Sequence, residues 1–378
     1  MNFLFVAFDF PPAVGGIQTR AENYVKNLIR MGHHVTVIHI LHPEVIKSHF
    51  SKNASPESLH EIFFGARVFR YPSSIRKLFE IFFKTVKDMR KNHVDVIHII
   101  SGANTPIGLL FLFYGKIKGI KTGVSFYGKD ILDSHHVYRL LQRIAMLTAN
   151  RMGVNSKATL NLTPKIFRKK ALILYPGVDT VIPHFHVKTS RSEKIVLFVG
   201  RLVQRKGADD LMRAFKLLLG DVPQAKLVIV GDGPQRENLH ALAERLEIKD
   251  KVEFTGTLRG EKLYRRYAEC DVFVMPSKRL VHDVEGFGMV FLEAALFKKP
   301  AVGTWSGGIP EAVIDGKTGL LVKPEDVEAL KNALRLLLTN EELARKLGEN
   351  AYKRVMAEFT WEKATIKFLK MYENINAP

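Results

Sequence analysis

The sequence predicts an α/β protein of two domains, each built on a doubly wound parallel sheet. Three observations lead there. Short apolar runs rich in Val, Ile and Phe alternate with longer amphipathic segments, the pattern of strands joined by crossover helices. The alternation stops near residue 185 and then begins again. The chain has 378 residues and is 46% hydrophobic, enough to bury two separate cores.

The first residues, "MNFLFVAFDF", alternate toward a Pro-Pro stop and carry no basic n-region. They read as a buried first strand rather than a signal peptide, so the protein is expected in the cytoplasm. A glycine-containing loop leads to the helix "QTRAENYVKNLIRMG" and the strand "HHVTVIHI"; the strand "DVIHII", the helix "PIGLLFLFYGKIKG" and the strand "KTGVSF" follow. Residues 96–115 are the best candidate for a membrane span, but His98, Asn104 and Pro106 interrupt them. A span needs about 20 apolar residues, and none is expected.

After "YPGVDTVIPHFHVKTSRSEK" the second series runs "KIVLFVG", "ADDLMRAFKLLLG", "AKLVIVG", "PQRENLHALAERLE", "KVEFTG", "EKLYRRYAEC", "DVFVMP", "FGMVFLEAALFKK", "PAVGT" and "GLLVK". The expected organisation is a first domain over 1–180, a linker over 181–193, a second domain over 194–357, and a closing helix over 358–378 that returns to the first. Crossovers are expected to be right-handed. Ligands of such sheets lie beyond the carboxyl ends of the strands, and two sheets facing one another would form a cleft.

The net charge of +19 is uneven: residues 1–180 hold 25 Lys and Arg against 11 Asp and Glu, and the remainder 32 against 27. A basic first half attracts polyanions, whether nucleic acid, an anionic bilayer or a phosphorylated lipid. Within it, "SIRKLFEIFFKTVKDMRK" sets Ile75, Leu78, Phe79, Phe82, Phe83, Val86 and Met89 on one helical stripe among six cations. Stripes of this sort belong more often to a core than to an anionic membrane surface; the aromatic "EIFFGARVFRY" before it adds some weight to the membrane. The single cysteine, Cys270, precludes an internal disulfide and has no metal partner at ligand spacing; it reads as an inert buried thiol.

Several short stretches carry site chemistry. In "EGFGMVFLE" the glycines make a poor helix interior, placing Glu285 in a loop and Glu293 in the helix after it. Nine helical residues would part the carboxylates by roughly 12 Å, whereas a retaining glycosidase pair stands about 5 Å apart. Two contacts along one elongated ligand fit better. "FDFPPAVGGIQTR" sets Gly15 and Gly16 before the first helix, where backbone N–H groups favour an anion. The pattern is not G-x-G-x-x-G and the second strand ends without an acid, which disfavours a nicotinamide cofactor. "VGRLVQRKG" brings Arg201 and Lys206 to a strand's carboxyl edge, as phosphate contacts or as solvated surface charge. "VGDGP", at Gly231, suits close approach of a backbone to a ligand or a plain tight turn, and "SGGIPE" offers another glycine-rich helix start.

Taken together, Gly15-Gly16, "GRLVQRKG", "VGDGP", "FTGTL", "EGFGMVFLE", "GGIPE" and "FTWEKATIKFLKMYE" resemble, in order and over nearly the whole chain, the retaining glycosyltransferases of family 4. The resemblance implies two Rossmann-like domains facing a cleft, the GT-B fold, and a UDP- or GDP-sugar as donor. It implies Glu285 on the sugar hydroxyls, Arg201 and Lys206 on the diphosphate, and Glu293 on the ribose. Further donor contacts are implied at Gly15, Gly16, Gly231, Leu258, Phe287, Gly288 and Met289. Many members carry a histidine where this chain has Tyr127, which can donate a hydrogen bond but does not titrate near neutral pH. Asp130 nearby reads as a helix cap or an acceptor contact. With no Asp-x-Asp motif, neither a metal nor a cofactor is expected. The acceptor is expected to be a sugar or lipid-linked glycan, with a peripheral position at the inner face of the cell membrane as the alternative to free solution. A sugar-nucleotide epimerase would bind the same donor. A nucleic-acid partner is not expected, because no base-reading element is present.

Overall fold

The computed structural model describes the chain except residues 9, 12–14, 42–59, 64–65, 73–74, 104, 133–134, 184, 186–191, 374 and 376–378, and except the side chains at 41, 60–63, 66–72, 75–78 and 129. It divides into two compact units: Met1–Pro176 with Trp361–Pro378, and Gly177–Thr360. Much of the expected linker lies outside the described residues.

In the first unit the order is β1 (Asn2–Ala7), α1 (Gly16–Arg30), β2 (His34–Leu41), β3 (His60–Phe63), β4 (Ala66–Pro72), α2 (Ile75–Lys91), β5 (Val96–Ile99), α3 (Pro106–Ile117), β6 (Lys121–Phe126), α4 (Lys129–Leu132), α5 (His136–Thr148), β7 (Arg151–Val154), α6 (Lys157–Leu162) and β8 (Ala171–Ile173). The strands lie in the order β3-β4-β2-β1-β5-β6-β7-β8. All neighbours are parallel except β3 with β4. The described residues of the aromatic stretch "EIFFGARVFRY", which added weight to a membrane contact in the sequence, lie in this antiparallel pair. Helix α3 starts sharply because Thr105 Oγ1 accepts the Gly108 N–H and Pro106 takes the first helical position, where its missing N–H is no loss.

The second unit holds β9 (Lys194–Val199), α7 (Ala208–Leu218), β10 (Ala225–Val230), α8 (Arg236–Arg245), β11 (Val252–Gly256), α9 (Gly260–Glu269), β12 (Val272–Val274), α10 (Met289–Leu296), β13 (Ala301–Thr304), α11 (Ile309–Ala312), β14 (Leu320–Val322), α12 (Val327–Thr339) and α13 (Glu341–Glu358). Its wholly parallel sheet runs β11-β10-β9-β12-β13-β14. In both sheets the direction of winding reverses beside the first strand, between β1 and β5 and between β9 and β12. Ligands of doubly wound sheets bind at such switch points.

The last helix, α14 (Trp361–Glu373), belongs to the first unit. Phe368 stacks on Tyr24 at 4.8 Å and meets Phe3 and Phe5 edgewise or tilted. Tyr372 reaches His98 Nδ1 at 2.5 Å, and His98 Nε2 lies 2.9 Å from Ser125 Oγ. Burial, with Arg20 nearby, holds the His98 imidazole down to about 3, so α14 docks on a neutral histidine. A Cβ at Gly123 would stand 1.9 Å from the Tyr372 hydroxyl, which explains the glycine within β6.

Candidate functional site

The second unit's site begins where β9 ends. The chain passes Arg201, makes a 3-10 turn over Gln204–Lys206, and enters α7 through Gly207 in the left-handed conformation. This turn puts two successive cations on one carboxylate. Lys206 Nζ lies 2.6 Å from Glu285 Oε2 and 3.2 Å from Met275 Sδ at the end of β12. Arg205 Nη1 bonds the same Oε2, and its Nε lies 2.9 Å from Asp283 Oδ1. The Lys206–Glu285 pair therefore sits at the β9/β12 switch point.

Glu285 is only 8% exposed. Burial alone would raise its pKa, but Lys206 and Arg205 overcome that and bring the carboxyl down to about 2, so it is ionised wherever the protein is folded and working. Oε2 takes both cations, whereas no partner of Oε1 is found among the described residues. Arg201 is exposed and makes no ion pair among the described residues. Of the expected cations the structure thus brings Lys206, not Arg201, onto Glu285. It adds Arg205, which sequence reasoning passed over although it is Lys206's neighbour.

Glycines hold this loop in place. A Cβ at Gly307 would meet the Glu285 carbonyl oxygen at 2.0 Å, and one at Gly308 the Gly286 oxygen at 2.2 Å; Gly307 also has φ +54°. The Gly308 N–H donates to Glu285 O at 2.9 Å. "SGGIPE" therefore works as the backbone seat of Glu285, and its helix α11 is one short turn. The close approach at Gly231 is likewise to protein: its Cβ would lie 1.9 Å from Gly200 O.

A second missed residue is Lys278, 7% exposed. Its Nζ holds Asp209 Oδ2 at 2.7 Å and Asp210 Oδ1 at 3.1 Å in the first turn of α7. Its N–H donates to Arg205 O at 2.7 Å. The Asp-Asp pair after Gly207 was the available signal for a buried cation.

Glu285 lies in the loop and Glu293 in α10, as the glycines predicted, with Gly288 capping that helix at φ +88°. Tyr267 Oη donates to Glu293 Oε2 at 2.7 Å. Burial raises the Glu293 pKa against the lowering influence of Tyr267 and Lys206, so Lys206 is the cation felt by both glutamates. Phe287 is buried, packed 5.6 Å from Phe359; Leu258 and Met289 are half-buried.

In the first unit, Gly15 and Gly16 open α1, which has no side-chain cap. Tyr127 follows β6. Its hydroxyl is buried with no hydrogen-bond partner among the described residues, and the Arg20 guanidinium lies 5.3 Å from its ring centroid. Burial pushes the phenol pKa up. Asp130 Oδ2 accepts the Tyr127 N–H at 3.1 Å, a local backbone role. Two helices, α4 and α5, follow Tyr127, and Asp130 lies within the first of them. Among the described residues no group of His, Cys, Asp and Glu could hold a metal, and no helix is long and apolar enough to cross a membrane. Cys270 is buried.

Two doubly wound units, the second with a cation-bound glutamate at its switch point, have the architecture of the GT-B glycosyltransferases. Similarity to known proteins agrees. The family described as "Glycosyltransferase Family 4" matches residues 14–181, and "Glycosyl transferases group 1" matches residues 183–354. A GDP-mannose-dependent alpha-(1-6)-phosphatidylinositol monomannoside mannosyltransferase of Mycolicibacterium smegmatis is 32% identical over 365 residues, covering 91% of each chain. Sucrose-phosphate synthase from Thermosynechococcus elongatus has the same fold, with TM-score 0.77 and 23% identity over 98% of both chains. So does HepE of Anabaena in complex with UDP-glucose, at TM-score 0.74 and 20% identity over 99% of this chain and all of that one. The chain belongs to glycosyltransferase family 4 and is an enzyme that uses a nucleotide-sugar donor.

Proposed function

We propose that the enzyme transfers a hexose, with retention of anomeric configuration, from a nucleoside-diphosphate sugar to a lipid-linked glycan acceptor. The observation that carries this is Glu285: ionised, gripped through Oε2 by Lys206 and Arg205, with Oε1 available to accept from a sugar hydroxyl. The cations beside it suit the diphosphate, whose charge grows as the sugar departs, and fixed cations stabilise developing charge without reorganising. Exposed Arg201 adds a further phosphate contact.

Glu293, with Tyr267 holding Oε2, presents its other oxygen to the ribose. In the first unit we assign the start of α1, at Gly15 and Gly16, and the Tyr127 hydroxyl to the donor's phosphate and sugar. No carboxylate nucleophile and no metal is invoked. The mycobacterial relative's name, a GDP-mannose-dependent enzyme acting on a phosphatidylinositol monomannoside, favours GDP-mannose over UDP-sugars and a lipid-linked acceptor over a soluble one. With such a lipid-linked acceptor, we place the enzyme in the cytoplasm at the inner face of the cell membrane. Proton NMR of the product tests the reading: a new glycosidic bond with the donor's anomeric configuration supports it, and an inverted bond, or an epimerised free sugar nucleotide without acceptor, refutes it.

A further inference from the structure

The helix layer formed by α2, α3 and α5 on the first unit's sheet differs from an ordinary solvated surface. Phe82 of α2 packs on Phe111 and Tyr114 of α3 at 5.2 and 6.0 Å, and α3 packs in turn on α5. The core takes Ile81, Val86 and Met89, which settles part of the α2 stripe as packing; Ile75 and Leu78 lie outside the described side chains. Large apolar side chains nevertheless point outward from all three helices. They are Phe79 and Phe83 on α2, Phe113 and Ile117 on α3, and Leu140 and Leu147 on α5, with Phe83 66% and Ile117 79% exposed. Each pair is spaced by four or seven residues, so each lies on one face of its helix.

The charge on this layer is one-sided. The three helices carry nine Lys and Arg against Glu80 and Asp88. Lys84, Lys87, Arg90, Lys91, Lys116 and Arg143 make no ion pair among the described residues. Elsewhere several helical cations are matched to acids, as in Lys26 with Glu22, Arg213 with Asp209 and Arg345 with Glu349. Beside Leu147, Lys170 donates to the Leu147 and Ala149 carbonyls. Its amine is depressed by burial and then by the nearby Lys116 and Arg151: cations crowd here with no acid between them.

We propose that the outer face of α2, α3 and α5 is the surface by which the protein docks on an anionic bilayer. Exposed apolar side chains among unpaired cations match the two layers of such a membrane, acyl chains below and anionic headgroups above. A protein partner would have to supply an acidic surface fitted to three helices, whereas a bilayer fits any such shape. The proposal names the surface behind the membrane position inferred above and rests on that reading for its purpose, but its evidence is separate and its test needs no turnover.

The test is co-sedimentation of the full chain with phosphatidylglycerol vesicles and with phosphatidylcholine vesicles. The wild type should bind the first and ignore the second, with release at about 1 M salt, where the screening length falls to about 3 Å. Leu140→Ser with Leu147→Ser, and separately Lys84, Lys87, Arg90 and Lys91→Gln, should each weaken binding about tenfold or more. Both sets should keep the wild-type melting temperature, because the substituted side chains are exposed, and keep any donor-induced rise in it. Absence of a donor response in the wild type would refute the proposed donor assignment and leave vesicle binding as a separate result. Indifference of the wild type to anionic vesicles would overturn the docking proposal. So would equal binding by both variants, a dimer dispersed by the leucine changes, or retention on RNA but not on vesicles.

Discussion

Lys206 Nζ and Glu285 Oε2 lie 2.6 Å apart at the point where the second unit's sheet reverses its winding. The pair joins two segments far apart in sequence, the turn after β9 and the loop before α10. Arg205 shares the same oxygen. Removing Glu285 would leave two half-buried cations facing each other, so its substitution should affect binding as well as chemistry.

Glu285→Gln and Arg201→Ala should each lower kcat/KM tenfold or more, a loss of about 1.4 kcal/mol in the transition state. Arg205→Lys should fall with them, because a lysine cannot reach Glu285 and Asp283 together in Arg205's forked geometry. Steady-state kinetics against a surface control such as Lys262→Gln checks this. Near-normal values for Glu285→Gln and Arg201→Ala would remove the assignment.

Gly307→Ala should destabilise the second unit by roughly 3 kcal/mol, combining left-handed backbone strain with overpacking against the Glu285 carbonyl. Gly316, with φ +68° but nothing within 4 Å of a Cβ, is the control: its alanine variant should cost only about 1 kcal/mol. Denaturant unfolding of both distinguishes them, and equal losses would show that the contact with Glu285 is unimportant.

The six strands of the second unit are apolar runs bounded by glycine or proline, and all six stand where the periodicity put them. The loop position of Glu285 and the helical position of Glu293 followed from Gly286 and Gly288. By contrast β7, "RMGV", and β8, "ALI", are too short to show a period. The β3–β4 pair was hidden because its aromatic residues also suit a membrane surface. Arg205 was missed because spacing in a strand-to-helix loop does not say which of two adjacent cations turns inward; the 3-10 turn turns both. The glycines of "VGDGP" and "GGIPE" admit neighbouring backbone, a packing role that the sequence alone does not separate from an approach to a ligand.

Tyr267→Phe should weaken free-nucleotide binding about tenfold, because the buried Glu293 loses the donor that fixes Oε2, a loss of roughly 1–3 kcal/mol. Calorimetric titration with GDP and UDP measures it. Unchanged affinity would make Tyr267 a packing residue only.

Docking of α14 should be acid-sensitive. His98 has a folded pKa of about 3, below its ordinary value of 6.5, so the unfolded chain binds the extra proton between those values. The sign is therefore that stability is full above pH 6.5 and falls as pH drops toward 3, by at most about 1.4 kcal/mol per pH unit. A His98→Asn variant should lose that part of the slope in chemical unfolding at stepped pH. A slope equal to the wild type's would show that His98 does not couple α14 to pH.

The account's central claim is that this chain grips a nucleotide-activated sugar through the cation-bound Glu285, and thermal denaturation in a panel of GDP- and UDP-sugars tests it most directly. A bound donor stabilises by mass action, about 2.7 kcal/mol at a hundred times its dissociation constant. The account predicts that GDP-mannose raises the wild-type melting temperature clearly and the Glu285→Gln variant's much less. A wild type unmoved by every donor in the panel, or a variant stabilised as fully as the wild type, would contradict it.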